Sequence, residues 1–194
     1  MRTANLIANG GAESDPGGTG QPSPVTGWTA LEGGAAVVAY GTPGYPTTSG
    51  PGPADRGRNF LTGGTSARTR LTQLVTLPGT ARIDAGAARF DFVGWLGGYA
   101  EQDDGARLSL EFLSAASTPL GVCVLGPVTA SDRGATTGLL RRAWSGVVPP
   151  GSRTARVLLL LTRDGGTAND GYADSISLVL STPTAFLGVT AGGS

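Results

Sequence analysis

Two short runs of acidic and amide side chains are the parts of this sequence best equipped for chemistry. The run EQDD occupies residues 101–104, and the run NDGYAD at 169–174 leads into a strand-like alternation. Both lie between segments that we expect to be neighbouring strands, so they would meet at one end of a β-structure. They would then form a shared site for a metal or a polar ligand, or serve only as tight turns, which aspartate and asparagine favour.

Aromatic side chains decide whether such a site could bind a sugar. Sugar rings stack their C–H faces on tryptophan or tyrosine, while acids, amides and arginine bond the hydroxyl groups. Trp95 follows Phe90 and Phe92 at odd spacing, so it points to the opposite side of a strand from those two. We predict a ligand-binding set of two aromatic residues and two acids: Trp95, Tyr99, Asp103 and Asp170. Other candidates for exposure are Trp144, Tyr40 and Tyr45, whereas Trp28 is expected in the core.

The absence of histidine and lysine excludes most catalytic mechanisms. All 14 basic residues are arginine, so the chain has no imidazole general base, no imidazole-activated nucleophile and no Schiff-base lysine. Cys123 lies in the apolar run LGVCVLG, which indicates a buried thiol rather than a nucleophile. A carboxylate pair such as Asp103 and Asp170 could still hydrolyse glycosides, but no pattern places two acids on strands facing one cleft. We therefore expect a protein that is not an enzyme.

The composition is typical of an all-β domain with broad loops. Of 194 residues, 33 are glycine and 13 are proline, and the 39% that are hydrophobic gather in short runs that can form a core. The length favours one domain, assigned here to residues 1–181, with a tail at 182–194 that would dock on a neighbouring chain through Phe186 and Leu187. Ten strands are predicted, at 5–8, 27–31, 35–40, 71–77, 88–95, 107–113, 120–125, 139–146, 155–162 and 175–180.

Hydrophobic patterns predict which faces of these strands are buried. In RLSLEFL, at 107–113, Leu108, Leu110 and Phe112 share one face and polar residues take the other. The run RVLLLLT at 156–162 is apolar on both sides, which indicates a central strand covered on both faces or one whose outer face meets a partner. Residues 41–57 form a long loop rich in proline and glycine, either functional or simply displayed.

Charge and hydropathy limit the partners. The net charge is zero, so no basic surplus would draw the chain to nucleic acid or to an acidic membrane. The opening MRTANLIANGG lacks a hydrophobic stretch long enough for a signal peptide, and no window resembles a membrane span. We therefore expect a protein made inside a cell that reaches a virion surface or the extracellular space by assembly, by lysis, or as part of a longer secreted protein.

Motifs at both ends of the chain point to a known fold. The opening NLIANGGAES is followed by the pair Gly27 and Trp28, and the last predicted strand is introduced by aspartate in YADSISLVL. These motifs, with NFLTGG at 59–64 and GWLGGYAEQDD at 94–104, resemble the galactose-binding-like jelly-roll domains, which include several carbohydrate-binding module families, in a bacterial and phage version. The resemblance covers roughly residues 4 to 181 and implies an all-β, two-sheet antiparallel β-sandwich.

The same resemblance implies a structural calcium ion beside the first and last strands. It assigns the ligands to Glu13 and Asp174, together with backbone carbonyls from the glycine turn at 9–11, a set of hard oxygen donors that suits calcium. Alternatively, Glu13 caps a turn and Asp174 bonds backbone amides before its strand. The sequence leaves both open because carbonyl ligands have no sequence signature.

Three functions of different classes are compatible with these observations. The first is a non-catalytic module that binds carbohydrate, the second a structural or decoration protein of a virion, and the third a hydrolase with a carboxylate pair. We expect a virion-associated, non-enzymatic jelly-roll domain, either a capsid decoration or a tail accessory protein, whose partners are virion proteins or surface glycans. The alternative is a secreted carbohydrate-binding module of a larger extracellular bacterial protein.

Overall fold

Ten strands and one short helix make up the part of the chain that the computed structural model describes, residues 2–182. Their bounds are β1 Thr29–Glu32, β2 Ala36–Ala39, β3 Asn59–Thr62, β4 Arg68–Thr76, α1 Thr80–Asp84, β5 Arg89–Gly98, β6 Gly105–Leu113, β7 Pro119–Leu125, β8 Gly138–Val147, β9 Thr154–Thr162 and β10 Tyr172–Ser181. Within these residues no helix has the length and apolar character needed to cross a membrane.

The strands form two antiparallel sheets packed face to face, which confirms the predicted β-sandwich. The first sheet has the order β1-β4-β9-β6-β7, and the second has the order β2-β3-β10-β5-β8. The core lies between them and follows the alternation in the sequence: Leu108, Leu110 and Phe112 of β6 are buried there. Strand β9 is central in the first sheet, as RVLLLLT predicts, and its outward Leu158 and Leu160 stay partly exposed.

Nine of the ten predicted strands are present, with ends shifted by at most three residues. The strand predicted at 5–8 is wrong, because that segment pairs partly through the Asn5 side chain instead of forming a regular ladder. Strand β3 was missed because all four of its residues are buried, which removes the alternation that marks a strand. The helix α1 is five residues long, too short to show a helical period. The predicted tail lies outside the described residues from 183 onwards.

The opening segment closes the fold by lying along β10. The amide of Thr3 donates to the carbonyl of Leu180 at 2.9 Å. The Asn5 side chain donates to the carbonyl of Ile176 at 3.0 Å and accepts the amide of Leu178 at 3.0 Å. One side chain thus replaces two ladder bonds, and the backbone groups of β10 that β3 does not reach are satisfied.

A second apolar cluster lies on the outer face of the second sheet. This outer aromatic cluster consists of Tyr40, Tyr45, Phe60 and Tyr172, with ring centroids 4.9 Å apart for Tyr40 and Phe60 and 5.3 Å apart for Phe60 and Tyr172. Tyr45 belongs to the long loop at 41–57, which therefore folds back on the sheet instead of projecting from it.

Arg56 fixes the shape of that loop. Its guanidinium donates to the carbonyls of Pro53, Thr47 and Gly50 at 2.7, 2.8 and 3.0 Å, and it lies 5.2 Å from the ring centroid of Tyr40. A cation over an aromatic face is attracted by the ring quadrupole. The loop is thus an ordered cover for one half of the outer face, and the other half stays open.

A substitution at Gly97 tests whether stability depends on the close approach of β5 and β8. A Cβ at this position would collide with the carbonyl oxygen of Gly138 in the facing strand. We expect Gly97→Ala to lower the free energy of unfolding by about 2 kcal/mol in urea denaturation, since backbone cannot yield as a side chain does. Gly165→Ala, at a site with open space around it, is the matched control and should change stability by less than about 0.5 kcal/mol. Equal unfolding curves for the two variants would contradict this account.

Candidate functional site

The structure brings the two acidic runs together at one end of the sandwich. The Asp104 carboxylate accepts the amides of Asp164, Gly165 and Asp170 at 2.7, 3.1 and 2.8 Å, and the residue is 0% exposed. One oxygen therefore holds the loop after β9, and the other holds the start of the segment leading into β10. Asp104 acts as a bracket between loops rather than as a solvated turn residue.

Two further buried polar side chains complete this end of the sandwich. The guanidinium of Arg133 donates to the carbonyls of Ala100 and Gln102 at 2.9 and 2.8 Å, and burial lowers its pKa while nearby acids oppose that shift. The Asn169 side chain donates to the carbonyls of Ser66 and Leu161 at 2.8 and 3.2 Å. Both side chains donate hydrogen bonds to backbone carbonyls, so they stabilise the loops at this end.

Three of the four predicted ligand residues lie at this end, and two of them, Asp170 and Tyr99, lie close to Tyr172. The Tyr172 hydroxyl donates to Asp170 at 3.0 Å, and burial raises the pKa of the Asp170 carboxyl. Asp103 is exposed and accepts the amide of Ala130 at 2.8 Å. Tyr99 is 36% exposed and lies near enough to Tyr172 to raise the pKa of that phenol further, although burial is the main cause.

Trp95, the fourth predicted ligand residue, lies apart from the other three. It occupies the outer face of β5, opposite to Phe90 and Phe92 as its spacing predicts, and it packs partly buried against the outer aromatic cluster. Its cross-strand neighbours are Asp174 on β10 and Arg141 on β8. The most exposed tryptophan is instead Trp144, at 55%, on the free edge of the sheet.

Glu13 and Asp174 come together beside the glycine turn, as the predicted metal pair requires. A Cβ on Gly11 would lie 3.4 Å from the Asp174 carboxylate and 3.8 Å from Glu13 Cγ, so the turn lies between the two acids. Glu13 also accepts the amides of Arg58 and Asn59 at 2.9 and 2.8 Å, which ties the opening segment to the start of β3.

The environment of Asp174 fits a cation. The side chain is 0% exposed, and burial raises the pKa of its carboxyl to about 7, against the opposing bonds from the Tyr40 hydroxyl at 2.7 Å and from the Ser175 amide. No arginine in residues 2–182 forms an ion pair with it, and the neighbouring Glu13 adds a second negative charge. No cluster of three or more acid, histidine or cysteine side chains exists in this range, so calcium here would also need backbone carbonyls.

An open groove crosses the uncovered half of the second sheet's outer face, and the predicted site did not include it. Its volume is about 420 Å³. Val93 and Ala143 form the floor, and the polar lining includes Arg2, Asp91 and Arg141. Trp144 borders the groove at the free edge, but it pairs with the buried Phe92, so its side chain points to the other face of β8. The signal for the groove is the alternation in β5, which places Asp91 and Val93 on the same face as Trp95.

The outer face of the first sheet carries an apolar patch. Its members share high exposure and an outward position on the strands: Leu31, Leu74, Val122 and Val124. Charged pairs interrupt the patch, including Arg156 with Glu111 at 2.8 Å. The outward residues of RVLLLLT are thus only partly covered within residues 2–182, and the expectation that this face meets a partner stays a prediction.

Comparisons with known proteins identify the fold. No family model and no curated protein matches the sequence. Among solved structures the chain is similar to a family 16 carbohydrate-binding module, with 21% identity, a TM-score of 0.54 and coverage of 90% of this chain and 99% of that one. The chain has a carbohydrate-binding-module-like jelly-roll fold. This jelly roll also resembles a cyclase from Fischerella sp. TAU, at 12% identity and a TM-score of 0.60 over 95% of this chain and all of that one.

Part of a phage protein has the same architecture. The jelly roll is similar to the enzymatically active domain structure of bacteriophage CBA120 tailspike protein 4, at 15% identity and a TM-score of 0.50, covering 92% of this chain. It spans only 21% of that chain. At identities this low the structural matches establish only that the fold is shared. The function of the chain therefore has to be inferred from its own surfaces.

Asp103 and Asp104 offer a matched pair for testing the bracket. We expect Asp104→Ala to lower the free energy of unfolding by about 3 kcal/mol, since three amides lose a buried charged acceptor. Asp103→Ala removes one exposed bond and should cost less than about 1 kcal/mol. Chemical denaturation of both variants measures the difference, and a larger loss for Asp103→Ala would overturn the assignment.

Proposed function

We propose that this jelly roll is a non-catalytic, glycan-binding unit of a virion-associated protein, either a capsid decoration or a tail accessory protein. The open groove carries the proposal. It combines an apolar floor at Val93 and Ala143 with hydrogen-bonding groups on Asp91 and Arg141, and Trp95 lies on the same face, directly across from Arg141. That mixture of aromatic surface and polar side chains suits the C–H faces and hydroxyl groups of a sugar.

The non-catalytic part of the proposal is supported by the bonds of the two acids considered for hydrolysis. Asp170 accepts the Tyr172 hydroxyl at 3.0 Å, and Asp103 accepts the Ala130 amide at 2.8 Å. Glycoside hydrolysis by a carboxylate pair needs one acid to protonate the leaving group and the other to attack or to activate water. Acids that hold a phenol and a loop amide are better explained as structural groups.

Attachment to a virion is supported by the apolar patch on the first sheet. Leu31, Leu74, Val122 and Val124 are exposed on the face opposite to the groove. A partner docked there would leave the groove pointing away from the particle, so that the domain could adhere to glycans on a host surface. The phage tailspike with a similar domain is consistent with this placement on a virion surface.

Calcium is the cofactor that we propose for the closure of the fold. Glu13 and Asp174 would hold it together with carbonyls of the turn at 9–11, because Asp174 is a buried carboxylate that forms no ion pair with an arginine of residues 2–182. The ion would neutralise the two acids and so stabilise the junction between the opening segment and β10.

Trp95 tests glycan binding. On a glycan array and by calorimetry with the best ligand found, we expect Trp95→Ala to weaken binding at least about fivefold, since the aromatic surface beside Arg141 is lost. Trp95 is partly buried, so thermal unfolding has to show that the variant is folded at the assay temperature. Trp144→Ala, whose exposed side chain lies on the other face of β8, is the control for loss of an aromatic ring, and Tyr99→Ala reports on the acidic end of the sandwich. Absence of binding to any glycan would refute the function.

Removal of calcium by a chelator tests the proposed metal site at Glu13 and Asp174. We expect EGTA to lower the melting temperature of the wild-type protein by about 5–10 °C if the site is near saturation, since bound calcium stabilises only the folded state. Asp174→Asn should melt at the same temperature with and without chelator, whereas Asp91→Asn should keep the wild-type response. Identical wild-type melting curves with and without EGTA would rule the site out.

Genome context separates a virion component from a secreted module. Neighbouring capsid and tail genes, together with detection of the protein in purified particles by mass spectrometry, would support the virion. A glycoside hydrolase or an anchoring domain on the same polypeptide would support the secreted carbohydrate-binding module and refute the virion.

A further inference from the structure

The groove has an excess of positive charge that the whole chain does not have. Arg2 and Arg141 line it with a single acid, Asp91, and strand alternation places Arg89 on the same face. The chain as a whole has zero net charge, with 14 basic and 14 acidic residues. The positive character is therefore a local property of this face.

The arginines of this face are weakly paired or unpaired. The distance between the Arg2 guanidinium and the Asp91 carboxylate is 3.8 Å, and the Arg2 side chain is 69% exposed. The side chains of Arg89 and Arg141 form no ion pair or hydrogen bond with any residue in the range 2–182. By contrast, Arg142, the next residue on β8, forms an ion pair with Asp132 at 3.2 Å. Arg141 thus keeps its five donors available for a ligand.

The groove also has the shape and lining for a polymer. Residues 141 to 145 of β8 run along it, a length of about 13 Å at the rise of an antiparallel strand. Arg141 and Ala143 lie on the same outward side, beside Trp95 and Val93 of β5. A cationic group and a flat apolar floor therefore follow one another along β8, with the Trp95 ring beside Arg141 on the same face.

We propose that the groove binds an acidic polysaccharide, with the carboxylate of a uronic acid residue on Arg141 and a sugar ring against Trp95 of the neighbouring strand. The inference rests on the proposed function and adds the substrate class. The planar guanidinium matches a carboxylate through two parallel hydrogen bonds. Asp91 accepts hydroxyl groups of the sugars, and Arg2 and Arg89 extend the attraction for a polyanion along the face.

A uronic acid polymer fits this lining better than a nucleic acid does. Nucleic-acid binding surfaces align many basic residues with the phosphates and offer several stacking platforms. One tryptophan, Trp95, lies on the groove face, and Asp91 would repel a closely spaced phosphate backbone. In a uronic acid polymer, single carboxylates are separated by hydroxyl-rich rings. This arrangement suits the groove, where Arg141 can bind a carboxylate and Asp91 can accept hydroxyl groups.

The test compares each acidic polymer with its neutral counterpart. Polygalacturonate, alginate and hyaluronan are used as such and after chemical reduction of their carboxylates to alcohols, with single-stranded DNA as a polyanion without sugar acids. Affinity electrophoresis and calorimetry measure the wild-type protein at low and physiological salt. We expect at least one acidic polymer to bind about tenfold more tightly than its reduced form, as the loss of a charge-assisted bond predicts.

Variants locate the effect in the groove. Arg141→Gln should remove most of the preference for the acidic form while leaving binding of the reduced polymer within about twofold. Arg107→Gln is the matched control: it removes an exposed, unpaired arginine from the outer face of the first sheet and should change neither affinity.

The outcomes separate the substrate class from the function itself. Equal affinity for acidic and reduced polymers, with loss on Trp95→Ala, would overturn the substrate class and leave glycan binding in place. Equal weakening by Arg107→Gln and Arg141→Gln, or tighter binding of DNA than of any uronate polymer, would also overturn the inference. No binding of any polysaccharide would overturn both the inference and the proposed function.

Discussion

The pairing of the first ten residues with β10 is the constraint on which the rest of the structure depends. Strand β10 lies inside the second sheet, yet β3 reaches only its first two residues, Tyr172 and Ala173. Beyond that point the opening segment supplies the missing partners, through Asn5 and through the carbonyl of Gly10, which accepts the amide of Ile176 at 2.9 Å. Without it a row of buried backbone groups would lie unpaired inside the sheet, at a cost comparable to the lost hydrogen bonds.

The change of pairing partner along β10, from β3 to the opening segment, explains why Glu13 and Asp174 lie close together. The ladder of β10 with β5 shifts register between Asp174 and Ser177, and Ser175 has a positive φ of 48°. This irregularity points the Asp174 carboxylate at the turn of the opening segment, beside Glu13 and the Tyr40 hydroxyl. The candidate metal site is thus part of the closure of the sandwich, and it lies apart from the groove that we assign to sugars.

The covering loop determines which surface remains for a ligand. Tyr45 and the loop fastened by Arg56 bury the half of the outer face around Phe60 and Tyr172. Trp95 lies at the boundary, partly buried against that cluster. Within residues 2–182 no loop covers the other half of the sheet, and the open groove forms there, where β5 and β8 continue beyond the covering loop.

The sequence by itself determined the all-β class, nine of the ten strands and the meeting of the two acidic runs, because alternation and turn residues are local properties that survive tertiary packing. It also placed Trp95 on the outward side of β5. Only the tertiary structure decided that Trp144 is the most exposed tryptophan, that Asp104 is the buried bracket while its neighbour Asp103 faces solvent, and that the Arg141 side chain has no ion pair or hydrogen bond within residues 2–182. These properties depend on which loop covers a face and which strand lies at an edge, and contacts between residues far apart in the chain fix both.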